Sequence, residues 1–449
     1  MGSISFPQKP DANFQTPWTT TPLIESSTLS RAAGCRIFLK LENLQPSGSF
    51  KSRAMGNQIL SHLRKPENAG RAVHFYASSG GNAGLAAVCA ARTLGYPCTV
   101  VVPVSTKPLM VTKLRRAGAA DVIQYGETFA EAGSYMKEVV MMQTQKGSAL
   151  GAQEVGVEED EVVKIALHPF DNEPIWEGNS TIVDELVQQV PLPQGPEEVA
   201  VHAGRALPVD AIVCSVGGGG LLNGLVMGIE RARRAGWEMG RKGSGGVADA
   251  EDGNVKPVHL LAVETKGTDS LAEALLRHEL VSLPKITSQA TSLGAVRVSE
   301  RTFRYAVAPP PGVRVHSAVL SDAEAAKGVL RLADDERLLV ELACGVCVEA
   351  AVGGSSSSAS AALTGKKRKY VDEGYGDDRL SAGENDDDAV SPVRSPASSA
   401  SAASLSSKLK QLVPDLNEDS RVVIIVCGGS NVTIDMAAEW RKLLSEGWA

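Results

Sequence analysis

The stretch from residue 71 to residue 126 constrains this chain more than any other. "RAVHFYAS" (71–78) is a short β-branched and aromatic run, and "GNAGLAAVCAARTLG" (81–95) is an alanine-rich helical stretch closed by glycine. "PCTVVVP" (97–103), "KPLMVTKLRRAGA" (107–119) and "ADVIQYG" (120–126) continue as strand, helix and strand, and a helix follows from Glu127. Strands alternating with helices at this spacing predict βαβ units and a parallel sheet. The rhythm returns in "DAIVCSVG" (210–217), "GLLNGLVMGIERAR" (220–233) and "VHLLAVET" (258–265). "RVVIIVCGG" (421–429) is so apolar that both faces of that strand must be buried. The expected class is α/β, with open, mostly parallel sheets flanked by helices.

Two βαβ regions divide the chain. A small domain covers 54–161, and a large domain combines 1–53 with 162–449. Segments 191–209, 238–256 and 353–407 are rich in Pro, Gly or Ser and polar. Such compositions cannot bury enough apolar surface to order themselves, so all three read as disordered surface insertions. The "KKRK" at 366–369 lies in one of them and is too short to carry a nuclear address.

The 449 residues carry a net charge of −7, which predicts no nucleic-acid or anionic-membrane partner. No apolar run is long enough to span a membrane, and the N-terminus lacks a secretory signal core, so a cytoplasmic protein is expected. Its seven cysteines are then reduced thiols. Cys344 and Cys347 form a CxxC without a second pair, which argues against zinc.

Four local patterns require one explanation. "PSGSFKSRA" (46–54) sets Lys51 beside Phe50; "SSGGNAG" (78–84), "SVGGGGLLNG" (215–224) and "CGGSN" (427–431) each follow a predicted strand. Ligands of open α/β sheets bind at the carboxyl ends of strands, so these loops can converge on one cleft. Gly217, Gly218, Gly219 and Gly220 turn backbone N–H groups toward one point just before a helix, an arrangement suited to phosphate. The dinucleotide pattern G-x-G-x-x-G is absent, and no Gly-Lys-Ser/Thr marks a P-loop, so the ligand carries a single phosphate. A phosphate cradle, a lysine beside an aromatic ring and a cleft together suggest pyridoxal 5'-phosphate. The lysine amine would bond its aldehyde, and Phe50 would stack on its ring.

On these residues the chain resembles the fold-type II pyridoxal-phosphate enzymes, and more narrowly the serine/threonine dehydratases of the eukaryotic L-serine dehydratase type. The resemblance implies two open twisted sheets and a Schiff-base role for Lys51. It implies a substrate-carboxylate loop of Ser78, Ser79, Gly80, Asn82 and Ala83, with Ser79 and Asn82 as leading catalytic contacts. Asn82 would also bond the cofactor's phenolic oxygen. The phosphate loop would be Gly217 to Gly220 with Leu221, and Cys427 would face the pyridine nitrogen. A buried thiol carries no charge at neutral pH, so Cys427 is expected to be a weak neutral donor. The family also binds a monovalent cation, K+, for which Glu264, Thr268, Ser270, Leu293 and Ala295 are the matching positions. Gly80, which is Ala or Gly in the family, would leave room at the substrate.

The activity implied is elimination of water from L-serine, giving pyruvate and ammonia, with L-threonine giving 2-oxobutanoate. In the family the cofactor phosphate protonates the departing hydroxyl. Amino-acid catabolism, a feed into gluconeogenesis and a homodimeric state go with the resemblance. The alternatives are threonine dehydration as the main activity and a β-replacement synthase of the same fold.

Overall fold

The computed structural model of the protein describes residues 14–143, 162–192, 194–195, 205–235, 256–354 and 406–449. Its strands are β1 (Leu23–Glu25), β2 (Arg36–Lys40), β3 (Val73–Ala77), β4 (Cys98–Val102), β5 (Asp121–Gln124), β6 (Val163–Leu167), β7 (Ala211–Ser215), β8 (Val258–Thr265), β9 (Val313–Leu320) and β10 (Arg421–Ile425). Its helices are α1 (Ser27–Ala33), α2 (Lys51–Leu63), α3 (Asn82–Thr93), α4 (Pro108–Ala117), α5 (Phe129–Tyr135), α6 (Glu173–Gln189), α7 (Gly220–Arg234), α8 (Ser270–Arg277), α9 (Glu300–Val307), α10 (Asp322–Glu336), α11 (Leu342–Val352), α12 (Lys408–Leu412) and α13 (Ile434–Ser445).

Two sheets organise the molecule. The larger runs β1-β2-β10-β7-β8-β9, with only β1 antiparallel to its neighbour. The smaller runs β5-β4-β3-β6 and is parallel throughout. β10 lies between β2 and β7 with all five residues buried, as the apolar run 422–425 requires, and the buried Arg421 donates to Pro191 O. α11, "LACGVCVEAAV", is buried along its whole length, so Cys344 and Cys347 are core residues. All seven cysteines are free thiols.

Two expectations need correction. The small domain does not stop at residue 161, because β6 pairs in parallel with β3 from Val73↔Val163 to Ala77↔Leu167. The small sheet therefore extends to Leu167. The expected insertion 191–209 is also too long. Residues 205–209 are buried, with Leu207 and Val209 fully so, and the Arg205 charge is met by Asp210 at 2.5 Å. Most of the three expected insertions lies outside the described residues. Among the described residues, no helix is long and apolar enough to cross a membrane.

Candidate active site

α2 begins at Lys51, and the loop before it is stitched to the end of β10. Ser49 bridges to Gly428, Phe50 N donates to Cys427 O at 3.2 Å, and Gly429 N donates to Gly48 O at 2.9 Å. Gly428 has φ 81°, and a Cβ there would stand 2.3 Å from Gly48 O, so only glycine permits this approach. Lys51 Nζ lies 5.3 Å from the Phe50 ring centroid and donates to Pro169 O at 2.9 Å. Desolvation pushes its amine down to about 8, partly opposed by Cys427 nearby. At pH 7 that leaves roughly 300-fold more neutral amine than an exposed lysine has.

The next charged residue on α2 anchors the helix. Arg53 is fully buried and grips Glu42 with two hydrogen bonds of 2.8 Å. It also reaches both Glu185 oxygens, at 2.6 and 2.9 Å, and Thr181 Oγ1 at 2.9 Å. Lys40 pairs with the same Glu185. Burial pushes the Glu185 carboxyl up, but Arg53 and Lys40 outweigh it and leave the group below its ordinary range. This network ties the lysine helix to β2 and α6.

Two glycine loops open helices without side-chain caps. Asn172 caps α6 and Ser321 caps α10 through their side chains. α3 instead starts from Gly81 and α7 from Gly219, and neither end has a side-chain cap bond. Their first-turn N–H groups remain available, and each helix dipole favours an anion there. Gly219 has φ 91°, and a Cβ would fall 1.9 Å from Thr302 Oγ1. A Cβ on Gly218 would fall 2.1 Å from the Phe170 ring. Backbone is thus all that this loop can offer, and Leu221 packs behind it, buried at the start of α7.

In the other loop, Ser79 Oγ accepts weakly from Gly81 N at 3.4 Å. A Cβ on Gly84 would lie 1.8 Å from Ser79 O, so this glycine lets α3 pack on the turn. Ala83 is buried on the first turn of α3, and Ser78 lies beside Gly133 of α5. A Cβ on Gly80 would meet Thr106 at 2.7 Å and Val102 at 3.2 Å. Gly80 therefore lies tightly against Thr106 and Val102 of the small unit. Asn82 crosses to the large unit: its Oδ1 accepts from Ser430 N at 2.9 Å, and its Nδ2 donates to Glu341 Oε1 at 3.0 Å. Sequence reasoning missed Glu341. Its one signal is an acid standing directly before the predominantly apolar α11, whose single charged residue, Glu349, pairs with Arg331.

Cys427 is buried at the end of β10, with Ser215 Oγ 3.3 Å from its sulfur. Cys344 and Cys347 hydrogen-bond the same sulfur and hold the Cys427 thiol well below its ordinary range. The same contacts, with burial, push Cys344 and Cys347 up. Cys427 Sγ itself donates to Ile425 O at 3.4 Å. The CxxC that surrounds it lies more than seventy positions away in the chain.

The cation candidates fall on one turn and a neighbouring loop. Glu264 is the penultimate residue of β8, and its two oxygens accept from Leu271 N at 2.8 Å and Ala272 N at 2.9 Å. Burial still pushes its carboxyl up to about 8. Thr268 and Ser270 are fully buried, and Ser270 Oγ has no partner among the described residues. The loop bearing Leu293 and Ala295 is tied to this turn by Thr265 Oγ1···Ser288 Oγ at 2.7 Å. A Cβ on Gly217 would come 3.2 Å from Leu293 O, so this loop also touches the glycine run.

These residues fit pyridoxal phosphate. The glycine run supplies neutral backbone donors at a helix N-terminus, Lys51 supplies a desolvated amine, and Ser49 Oγ is buried with no partner among the described residues. The comparisons agree. The family model described as "Pyridoxal-phosphate dependent enzyme" matches residues 15–368. An L-serine dehydratase of Saccharomyces cerevisiae strain AWRI1631 is 38% identical over 333 residues, covering 74% of this chain and 84% of the relative. A catabolic L-serine/threonine dehydratase of Saccharomyces cerevisiae strain S288c is 37% identical over 332 residues, covering 74% and 79%. The crystal structure of a fungal L-serine ammonia-lyase from Rhizomucor miehei superposes with a TM-score of 0.64 at 26% identity, covering 95% of this chain and 99% of that one. Fold, site chemistry and sequence agree: this chain belongs to the pyridoxal-phosphate dependent enzyme family.

Proposed function

We propose that this protein eliminates water from L-serine, releasing pyruvate and ammonia, and acts in the same way on L-threonine to give 2-oxobutanoate. The observation that carries the reading is the partly buried Lys51 amine, pushed down to about 8 beside Phe50 and Cys427. The names of the yeast relatives supply the substrate class.

Each role is assigned to a residue. The N–H groups from Gly217 to Leu221 hold the phosphate, Phe50 covers the ring, and Cys427 with Ser215 lines its nitrogen side. Ser49 offers its unpaired hydroxyl. The first turn of α3, with Ser78, Ser79, Gly80, Asn82 and Ala83, binds the substrate carboxylate. The bound cofactor supplies an electron sink at the substrate Cα. Lys51 Nζ anchors the cofactor and takes the α-proton, which its lowered basicity permits near neutral pH. The large unit (1–53 with the chain beyond β6) carries the cofactor, and the small unit carries the substrate loop. A homodimer belongs to this reading on the family resemblance alone, and a cytoplasmic location is proposed with it.

The test is an absorbance scan for bound cofactor followed by measurement of pyruvate released from L-serine and 2-oxobutanoate from L-threonine. Protein that carries the cofactor yet releases neither would sink the reading. Cysteine formed from O-acetylserine and sulfide would replace it with β-replacement.

The alkali-cation site is part of the same proposal. Glu264, the unpaired Ser270 hydroxyl, Thr268 and the Leu293–Ala295 carbonyls offer hard oxygen donors suited to K+. At five times its dissociation constant, K+ is expected to add about 1 kcal/mol of stability, or about 1 °C in Tm. The control is tetramethylammonium at equal ionic strength, and Glu264→Gln should remove the difference. Equal melting in both salts for the parent protein would refute the site.

A further inference from the structure

Glu341 sits where α11 begins, and its side chain is not used there. An acid at a helix N-cap ordinarily accepts a bond from its own first turn. Glu341 makes no such bond. Its carboxylate, 5% exposed, turns toward the small unit instead. Oε1 accepts from Asn431 N at 2.6 Å and from Asn82 Nδ2 at 3.0 Å, and Oε2 accepts from Ser292 Oγ. The backbone makes room for this group. Gly429 has φ 118°, and a Cβ there would lie 2.3 Å from Glu341 Cδ.

A carboxylate of this kind accepts and does not donate, so it can face only the nitrogen of the Asn82 amide. The Asn82 oxygen then meets Ser430 N at 2.9 Å. One amide hydrogen is left, with only a weak contact to Ser292 Oγ at 3.4 Å, and it is free for an acceptor in the cleft. Lys113 of α4 adds a second tie from the small unit to Ser430 O.

We propose that Glu341 is a positioning residue for the reaction: its carboxylate locks the Asn82 amide in one orientation and fastens the substrate loop to the Ser430–Asn431 turn. The proposal rests on the dehydratase reading for the part Asn82 plays in turnover. The latch itself is independent of that reading.

Three variants separate reach from charge. Glu341→Gln keeps an acceptor for Asn82 and Asn431 N, and its amide can donate to the Ser292 hydroxyl, which also accepts. Glu341→Asp keeps the charge but withdraws it by about 1.5 Å, the length of one C–C bond. Glu341→Ala removes the acceptor. Misplacement of about 1 Å at a reacting centre can cost on the order of 100-fold. The Ala and Asp variants should therefore lose roughly that much in kcat for L-serine, with smaller changes in KM, while Gln stays within several-fold of the parent.

Amide hydrogen exchange reads the latch without any turnover. In the Ala and Asp variants, exchange should speed up at residues 82–86 and 429–433, with β8 and β10 still protected, and Gln should restore protection. Unchanged exchange in Ala and Asp would overturn the proposal whether or not the protein consumes serine. So would a Gln variant as slow as Asp, since charge rather than geometry would then matter. If the Ala variant fails to fold, the Gln and Asp pair still decides.

Discussion

Lys51→Ala is expected to lower L-serine turnover by at least roughly 10⁴-fold, because it removes a covalent anchor and a proton acceptor together. General base catalysis alone contributes about 10²–10⁴-fold. The fold should survive, since what is lost is a desolvated amine whose one hydrogen bond among the described residues is to Pro169 O. Borohydride reduction of the parent protein should fix the cofactor to the peptide that contains Lys51. A label on Lys40 or Lys113 instead would sink the assignment. Both have other work: Lys40 is buried against Glu185, and Lys113 is bonded to Ser430 O. The pH dependence of stability gives an independent check. Between about 8 and the ordinary 10.5, the unfolded chain keeps a proton on Lys51 that the folded chain has released. In protein stripped of cofactor, stability therefore rises with pH across that window, and Lys51→Ala should flatten the rise. An active Lys51→Ala protein would remove the basis of the proposed chemistry.

Strands such as β8 and β10 were legible because nearly all of their residues are buried and their apolar runs mirror that burial. β6 escaped for the opposite reason. It is an edge strand with only Ile165 and Leu167 buried, and its membership is decided by pairing with β3 some ninety positions earlier. The buried 205–209 segment was hidden by the Pro- and Gly-rich residues before it, since the Arg205–Asp210 pair that permits its burial is a matter of geometry. The glycine run could be read as an anion loop. What could not be read was that Phe170 and Thr302 leave Gly218 and Gly219 no space for any side chain. The same limit explains Glu341. Its partners stand 49, 90 and 259 positions away, and no local window contains them. Sequence periodicity reports which face is buried; it does not report which distant polar group a buried acid meets.

That distinction sets the expectation for Arg53, whose sequence position suggests only a helix residue two places beyond the lysine. Arg53→Met should lower stability by about 3–5 kcal/mol, the usual cost of breaking a buried ion pair from one side. For a chain of this size that corresponds to a fall of about 5 °C in Tm. Methionine replaces the volume, so packing loss is small and the cost is electrostatic. Glu42, fully buried, loses both of its 2.8 Å bonds to the guanidinium. Glu185 keeps Lys40, so it is the less exposed of the two acids to the loss. Arg53→Lys should recover only part of the stability, because one ammonium cannot reach two carboxylates in the forked geometry that Arg53 uses. The decisive variant is Arg53→Met with Glu42→Gln. If an uncompensated carboxylate is the cost, the second substitution should be stabilising in the Met background and destabilising in the parent. The coupling is then read as a double-mutant cycle from denaturant midpoints. Turnover should fall along with stability, because the network holds the first turn of the helix that carries Lys51. Additive effects of the two substitutions, or an Arg53→Met protein within about 1 kcal/mol of the parent, would show that the helix is held by α2–α6 packing and not by this charge network.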